Sequence, residues 1–81
     1  MTEKIRPVPA KKAIKALESL GFVQVRQKGS HLFMQHPDGR TTVIPIHSGQ
    51  DLGKGMVKKL MEDVRISRKE WLELLSSLIL F

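Results

Sequence analysis

The chain has 81 residues, no cysteine, and 14 Lys and Arg against 8 Asp and Glu, a formal net charge of +6. That length allows one domain with a modest core, and the missing cysteines exclude a disulfide framework and a thiolate metal site. No apolar run reaches the roughly 18 residues of a membrane helix, and none of signal-peptide length follows the basic N-terminus. The chain therefore reads as a soluble protein that fits a reducing cytoplasm. A hydrophobic fraction of 41% suffices for a globular fold. A pI near 10.1 on so small a protein points to a polyanionic partner, nucleic acid first.

Residues 1–9 are polar, carry Pro7 and Pro9, and read as a flexible lead-in. Ala10, Ala13, Ile14, Leu17 and Leu20 then recur at helical spacing, with Lys11, Lys12 and Lys15 on the other side. Pro9 suits a first helical turn, where its missing N–H is not needed. Gly21 suits the left-handed residue that ends a helix. From Phe22 to Lys28 the period changes to two, with Val23 and Val25 as the apolar side of a half-buried strand. Gly29-Ser30 is a two-residue hairpin signal. A second strand is expected from His31 to His36, a turn at Pro37-Asp38-Gly39-Arg40, and a third strand from Thr41 to Ile46. Pro45 lacks a ladder donor, so that third strand should lie at an edge or end near there.

A second helix is expected from about Gly53 to Val64, with Val57, Leu60, Met61 and Val64 inward and Lys54, Lys58 and Lys59 outward. Ser67-Arg68-Lys69-Glu70 is a capping box that opens a third helix. Trp71, Leu74, Leu75 and Leu78 share one face of it. The ending Leu78-Ile79-Leu80-Phe81 is apolar enough either to pack back on the domain or to supply a protein interface. The fold class is α+β: an α-β-β-β-α sandwich like a double-stranded-RNA-binding domain, with a three-stranded antiparallel sheet, helices on one face, and a C-terminal helix. Residues 10–66 form the main unit, and residues 67–81 are a helical extension of the same domain.

One stretch stands out for chemistry: Gln27-Lys28-Gly29-Ser30-His31-Leu32-Phe33. Histidine is the side chain whose ordinary pKa lies in the neutral range. A turn followed by a strand would fix its direction at a surface. That suits a general acid or base, and it equally suits an inert hairpin end. By alternation His31 and Phe33 point the same way. Phe33 is expected to be buried against the helices, so either His31 sits at the sheet rim or the alternation breaks at the turn. The spacing of the three histidines matches no closed metal site, and carboxylates nearby are few.

Arg26-Gln27-Lys28-Gly29-Ser30-His31, preceded by Gly21-Phe22 and followed by His36-Pro37, Val43-Ile44-Pro45, His47 and Leu52-Gly53-Lys54-Gly55, resembles the HicA family of small mRNA interferase toxins. The resemblance runs from about Ala10 to Val64. It implies a fold like a double-stranded-RNA-binding domain and metal-independent cleavage of messenger RNA with no cofactor. It makes the histidine of the Gly-Ser-His turn, His31, essential, and it implies a HicB-type antitoxin protein that covers the active surface.

RNA cuts itself when its 2′-OH attacks the adjacent phosphate. A catalyst needs a base, an acid and positive charge, and imidazole can serve as base or acid near neutral pH. Lys28 and Arg26, on one strand face by alternation, are candidates to neutralise the developing charge. The backbone around Gly29 and Ser30 can hold a phosphate, Ser30 being a turn residue rather than a nucleophile. Lys54, at a helix start, can meet an RNA phosphate. His36 lies five residues from His31, roughly 16 Å along a strand, too far for a concerted pair. His47 falls roughly opposite Gly29 to His31 across the antiparallel pair and is the possible second catalytic group. Three readings follow. The first is a ribonuclease toxin that depends on His31. The second is a non-catalytic RNA-binding module using the same basic face. The third is a partner-binding domain that docks through Trp71 and Leu75. The few aromatics, Phe22, Phe33, Trp71 and Phe81, look mostly like core, so a stacking platform for bases is not expected.

Overall fold

The computed structural model describes residues 4–47 and 49–79. Its elements are β1 (Val8–Pro9), α1 (Ala10–Ser19), β2 (Val23–Lys28), β3 (His31–Gln35), β4 (Thr41–Pro45), β5 (Asp51–Leu52), α2 (Lys54–Val64) and α3 (Arg68–Ile79). β2, β3 and β4 make an antiparallel three-stranded sheet in chain order, and β1 pairs with β5 in a separate two-stranded ladder. The α-β-β-β-α order with an added C-terminal helix is the expected sandwich.

Each main element follows from its sequence. α1 buries Ala10, Ala13, Ala16 and Leu17. It ends in a Schellman turn, with the Phe22 N–H donating to the Leu17 carbonyl and the Gly21 N–H to that of Glu18, both at 3.0 Å. Gly21 has φ +105. A Cβ there would stand 2.9 Å from His36 Nε2, so glycine is required both by backbone angle and by contact. α2 buries Val57, Leu60 and Val64. The capping box forms: the Ser67 hydroxyl accepts from the Glu70 N–H at 3.1 Å, and the Glu70 carboxylate accepts from the Ser67 N–H at 3.2 Å.

Along β3 and β4, Leu32, Met34, Thr42 and Ile44 turn inward to the helices. The inward Thr42 donates its hydroxyl to Asp63 at 3.0 Å, which satisfies the one polar side chain that is buried there. Phe22, Leu17, Leu60, Val57, Val64 and Trp71 complete the core. Among the described residues no helix is long and apolar enough to cross a membrane.

Two expectations are corrected, and the reading that docks a partner through Trp71 is removed. The stretch before α1 is not a loose lead-in, because Ile5 and Val8 are buried and β1 pairs with β5. Such two-residue pairings carry no periodic signal. Trp71 is 1% exposed and belongs to the core, so it cannot anchor an external partner. β2 is not half-buried, because all its residues are exposed, with Val23 57% and Val25 54% accessible. It is an edge strand, and the helices meet the sheet chiefly at β4. Of the apolar ending, Leu80 and Phe81 lie outside the described residues.

Candidate functional site

The helices cover one face of the sheet, and the other face is open. Register places three rows on the open face: Lys28, His31 and Pro45; Arg26, Phe33 and Val43; and Val23, Gln35 and Thr41. His31 and Phe33 do point the same way, but outward. Phe33 is not buried against the helices, because Leu32 and Met34 occupy the inward positions of β3. His31 is exposed, and its imidazole has no hydrogen-bond partner among the described residues.

The cations reach this face through an irregularity in β2. The pairing with β3 shifts by one residue between Gln24 and Arg26, a β-bulge at Val25. An unbroken ladder would pair Val25 with Phe33 and Gln27 with His31, and would turn Arg26 and Lys28 to the other face. The extra residue reverses this, setting Lys28 directly opposite His31 and Arg26 opposite Phe33. The Arg26 guanidinium lies 4.9 Å from the Phe33 ring centroid, a cation–π contact.

The turn that carries His31 is tied to its neighbours by hydrogen bonds. Gly29 has φ +58, and Ser30 keeps a negative φ, which identifies the glycine-first type II′ hairpin. The Ser30 carbonyl accepts from the Ile46 N–H at 2.6 Å, and the Gly29 carbonyl accepts from Gln27 Nε2 at 3.1 Å. A side chain on residue 29 would meet nothing within 4 Å, so the backbone there is open to an approaching group.

His47 is exposed and lies one row beyond His31, because the bond between Ser30 and Ile46 extends the β3–β4 register past Pro45. With Pro45, Gln50, Asp51 and Gly53 it lines a shallow pocket at the start of α2. Lys54 is the exposed first residue of that helix. Gly53 caps α2 without a side chain, the first turn has no acidic residue, and nothing crowds Gly53 or Gly55. The first intrahelical bond runs from the Val57 N–H to the Gly53 carbonyl at 2.9 Å. The N–H groups before it point out from the positive end of the helix dipole. Hence the residues singled out by sequence fall in two neighbouring places: Arg26, Lys28, Gly29, Ser30 and His31 at the β2–β3 hairpin, and His47 with Lys54 beside α2. Lys11, Lys12 and Lys15 are elsewhere, on α1 in the helical layer, beside Leu78 of α3.

His36 is a structural histidine. Its Nε2 donates to the Leu20 carbonyl at 3.0 Å, and its Nδ1 lies 3.1 Å from the Asp38 backbone nitrogen and 3.0 Å from Asp38 Oδ1. Its ring meets Phe22 edge-on at 5.1 Å. Asp38 accepts from the Arg40 backbone N–H, which holds its carboxyl below the ordinary value, and the Arg40 guanidinium and His36 add to this. Arg40 also lies over Phe22 and donates to the Val64 carbonyl at the end of α2. Among the described residues no three His, Asp or Glu side chains converge as metal ligands.

Sequence reasoning missed Phe33 as a surface residue. The signal was present: Leu32 and Met34 are equally good core residues, and choosing them leaves Phe33 beside His31. A search of curated proteins finds no match. The family described as the HicA toxin of bacterial toxin–antitoxin systems matches residues 10–66, the whole sheet with α1 and α2. The chain belongs to the HicA toxin family and is the toxin of a toxin–antitoxin pair.

Proposed function

We propose that this toxin is an mRNA interferase, an endoribonuclease that acts in the cytoplasm through His31 without a metal. The observation that carries the reading is the juxtaposition of an unengaged imidazole with Lys28 directly across the hairpin. In the proposed reaction the 2′-oxygen of the substrate attacks the adjacent phosphorus and the bond to the 5′-oxygen breaks. Neutral His31 takes the 2′-OH proton, and a protonated imidazole returns one to the leaving 5′-oxygen. The products are a 2′,3′-cyclic phosphate and a 5′-hydroxyl. Lys28 neutralises charge on the phosphorane, and the backbone at Gly29 and Ser30 admits the phosphate closely. His47 is the proposed second acid–base group, and Lys54 with the start of α2 takes a neighbouring phosphate.

The antitoxin is proposed to be of HicB type and to silence the toxin by covering the open sheet face. The test is RNA cleavage by purified protein in EDTA, wild type against His31→Ala, with circular dichroism to show both folded. Cleavage by wild type alone is expected. Equal cleavage by both would remove His31 from the mechanism. Salt-sensitive binding by both with no cleavage would instead identify a non-catalytic RNA-binding module.

A further inference from the structure

Phe33 is a half-buried aromatic on the open face of the sheet, two residues from His31 on the same strand, with the Arg26 guanidinium over its ring 4.9 Å from the centroid. A core role does not account for it, since Leu32 and Met34 fill the inward positions. A packing role does not account for Arg26 either, which is exposed and reaches this face through the bulge at Val25. A planar cation stacked over an aromatic ring on a basic, solvent-facing sheet suits one class of ligand, an unpaired nucleobase that extends the stack. Every base has a π-face that stacks on rings and guanidinium planes, and the phosphate attached to it is anionic.

We propose that Phe33 and Arg26 form a stacking platform that receives an unpaired base of the RNA and so sets the position of cleavage. The inference rests on the ribonuclease reading of His31. Two residues of strand span about 7 Å, so a base held at Phe33 belongs to a nucleotide whose phosphate is within reach of His31 and Lys28. The platform takes single-stranded RNA, because a base inside a duplex presents no free face. Phe33 is thus a specificity-determining residue, and Arg26 is its partner.

The test uses wild type, Phe33→Ala, Phe33→Leu and Phe33→Trp, with a short single-stranded 2′-O-methyl RNA that carries 2-aminopurine. That RNA cannot be cleaved, so binding is read apart from chemistry. Wild type is expected to quench the 2-aminopurine. Phe33→Ala and Phe33→Leu should each bind roughly 5- to 100-fold more weakly without quenching, and Phe33→Trp should retain both. Phe33→Leu keeps the apolar bulk and guards against a folding defect in Phe33→Ala. The salt dependence of binding should stay unchanged in the Phe33 variants and fall in Lys28→Ala. Wild-type affinity and quenching in Phe33→Leu would overturn the platform. So would wild-type binding of a blunt duplex as tight as that of the single strand. Cleavage of ordinary RNA, run in parallel, separates the two readings. A protein that stacks the base but cuts nothing fails as a nuclease and keeps the platform. One that cuts at the same sites with Phe33→Leu as with wild type keeps the nuclease and loses the platform.

Discussion

The two ends of β3 carry the same side chain in opposite circumstances. His31, at the Gly29-Ser30 hairpin, is exposed with no hydrogen-bond partner among the described residues. His36, just past the other end, has both ring nitrogens engaged and rests on Gly21 and Phe22. One end leaves its imidazole facing outward on the open sheet, and the other uses it to tie α1 to the turn after β3. The chemistry of imidazole does not distinguish them. What does is whether a carbonyl, an N–H and a ring are already in place around it.

Substitution separates the two ends most sharply. His31→Ala is expected to lower RNA cleavage by at least about a hundredfold with an unchanged melting temperature. An unfolded His31→Ala would break the contrast. Gly21→Ala should cost about 2 kcal/mol or more, measured by urea unfolding, since it combines a φ of +105 with a contact at 2.9 Å. Gly29→Ala has the backbone cost without the clash, about 1 kcal/mol, and equal losses at the two glycines would show that His36 does not press on Gly21. His36→Ala should cost roughly 1–3 kcal/mol by leaving the Leu20 carbonyl unpaired, with RNA binding unaffected at a temperature where the protein is folded.

The smallest effect expected is from acid. Because the Arg40 backbone N–H depresses the pKa of Asp38, its contribution to stability is present above the ordinary value of 3.8 and fades as pH falls through the lower folded value. Asp38→Asn should therefore flatten the acid limb of the stability curve slightly, and an unchanged limb would take Asp38 out of the lock.

Much of the fold is legible in the sequence because its signals are local. The helical stripe of α1, the glycine that ends it, the Pro-Asp-Gly turn and the Ser67–Glu70 box each act over a few residues, and each forms as read. His31 is legible for the same reason, since a Gly-Ser turn fixes where it sits. What was not legible depends on distant partners. Val23 and Val25 have the alternation of a half-buried strand, yet no helix covers that edge. The bulge at Val25 has no marker residue, and its effect is to reverse which side chains of β2 share a face with His31. Strict alternation rightly paired Arg26 with Lys28, but only the shifted ladder brings them beside His31. Ile5 and Val8 are too few to announce a buried segment.

The bulge has a second consequence, for self-association. β2 is an edge strand with exposed valines, and a straight edge of that kind is a template onto which another chain can add. A one-residue insertion interrupts the even spacing that such addition needs, and Arg26 and Lys28 beside it repel a second copy of the same edge. Deleting Val25 would restore an even ladder, turn both cations off the His31 face, and leave the strand free to pair with its like. One extra residue thus works against pairing at this edge as well as aiming its charges.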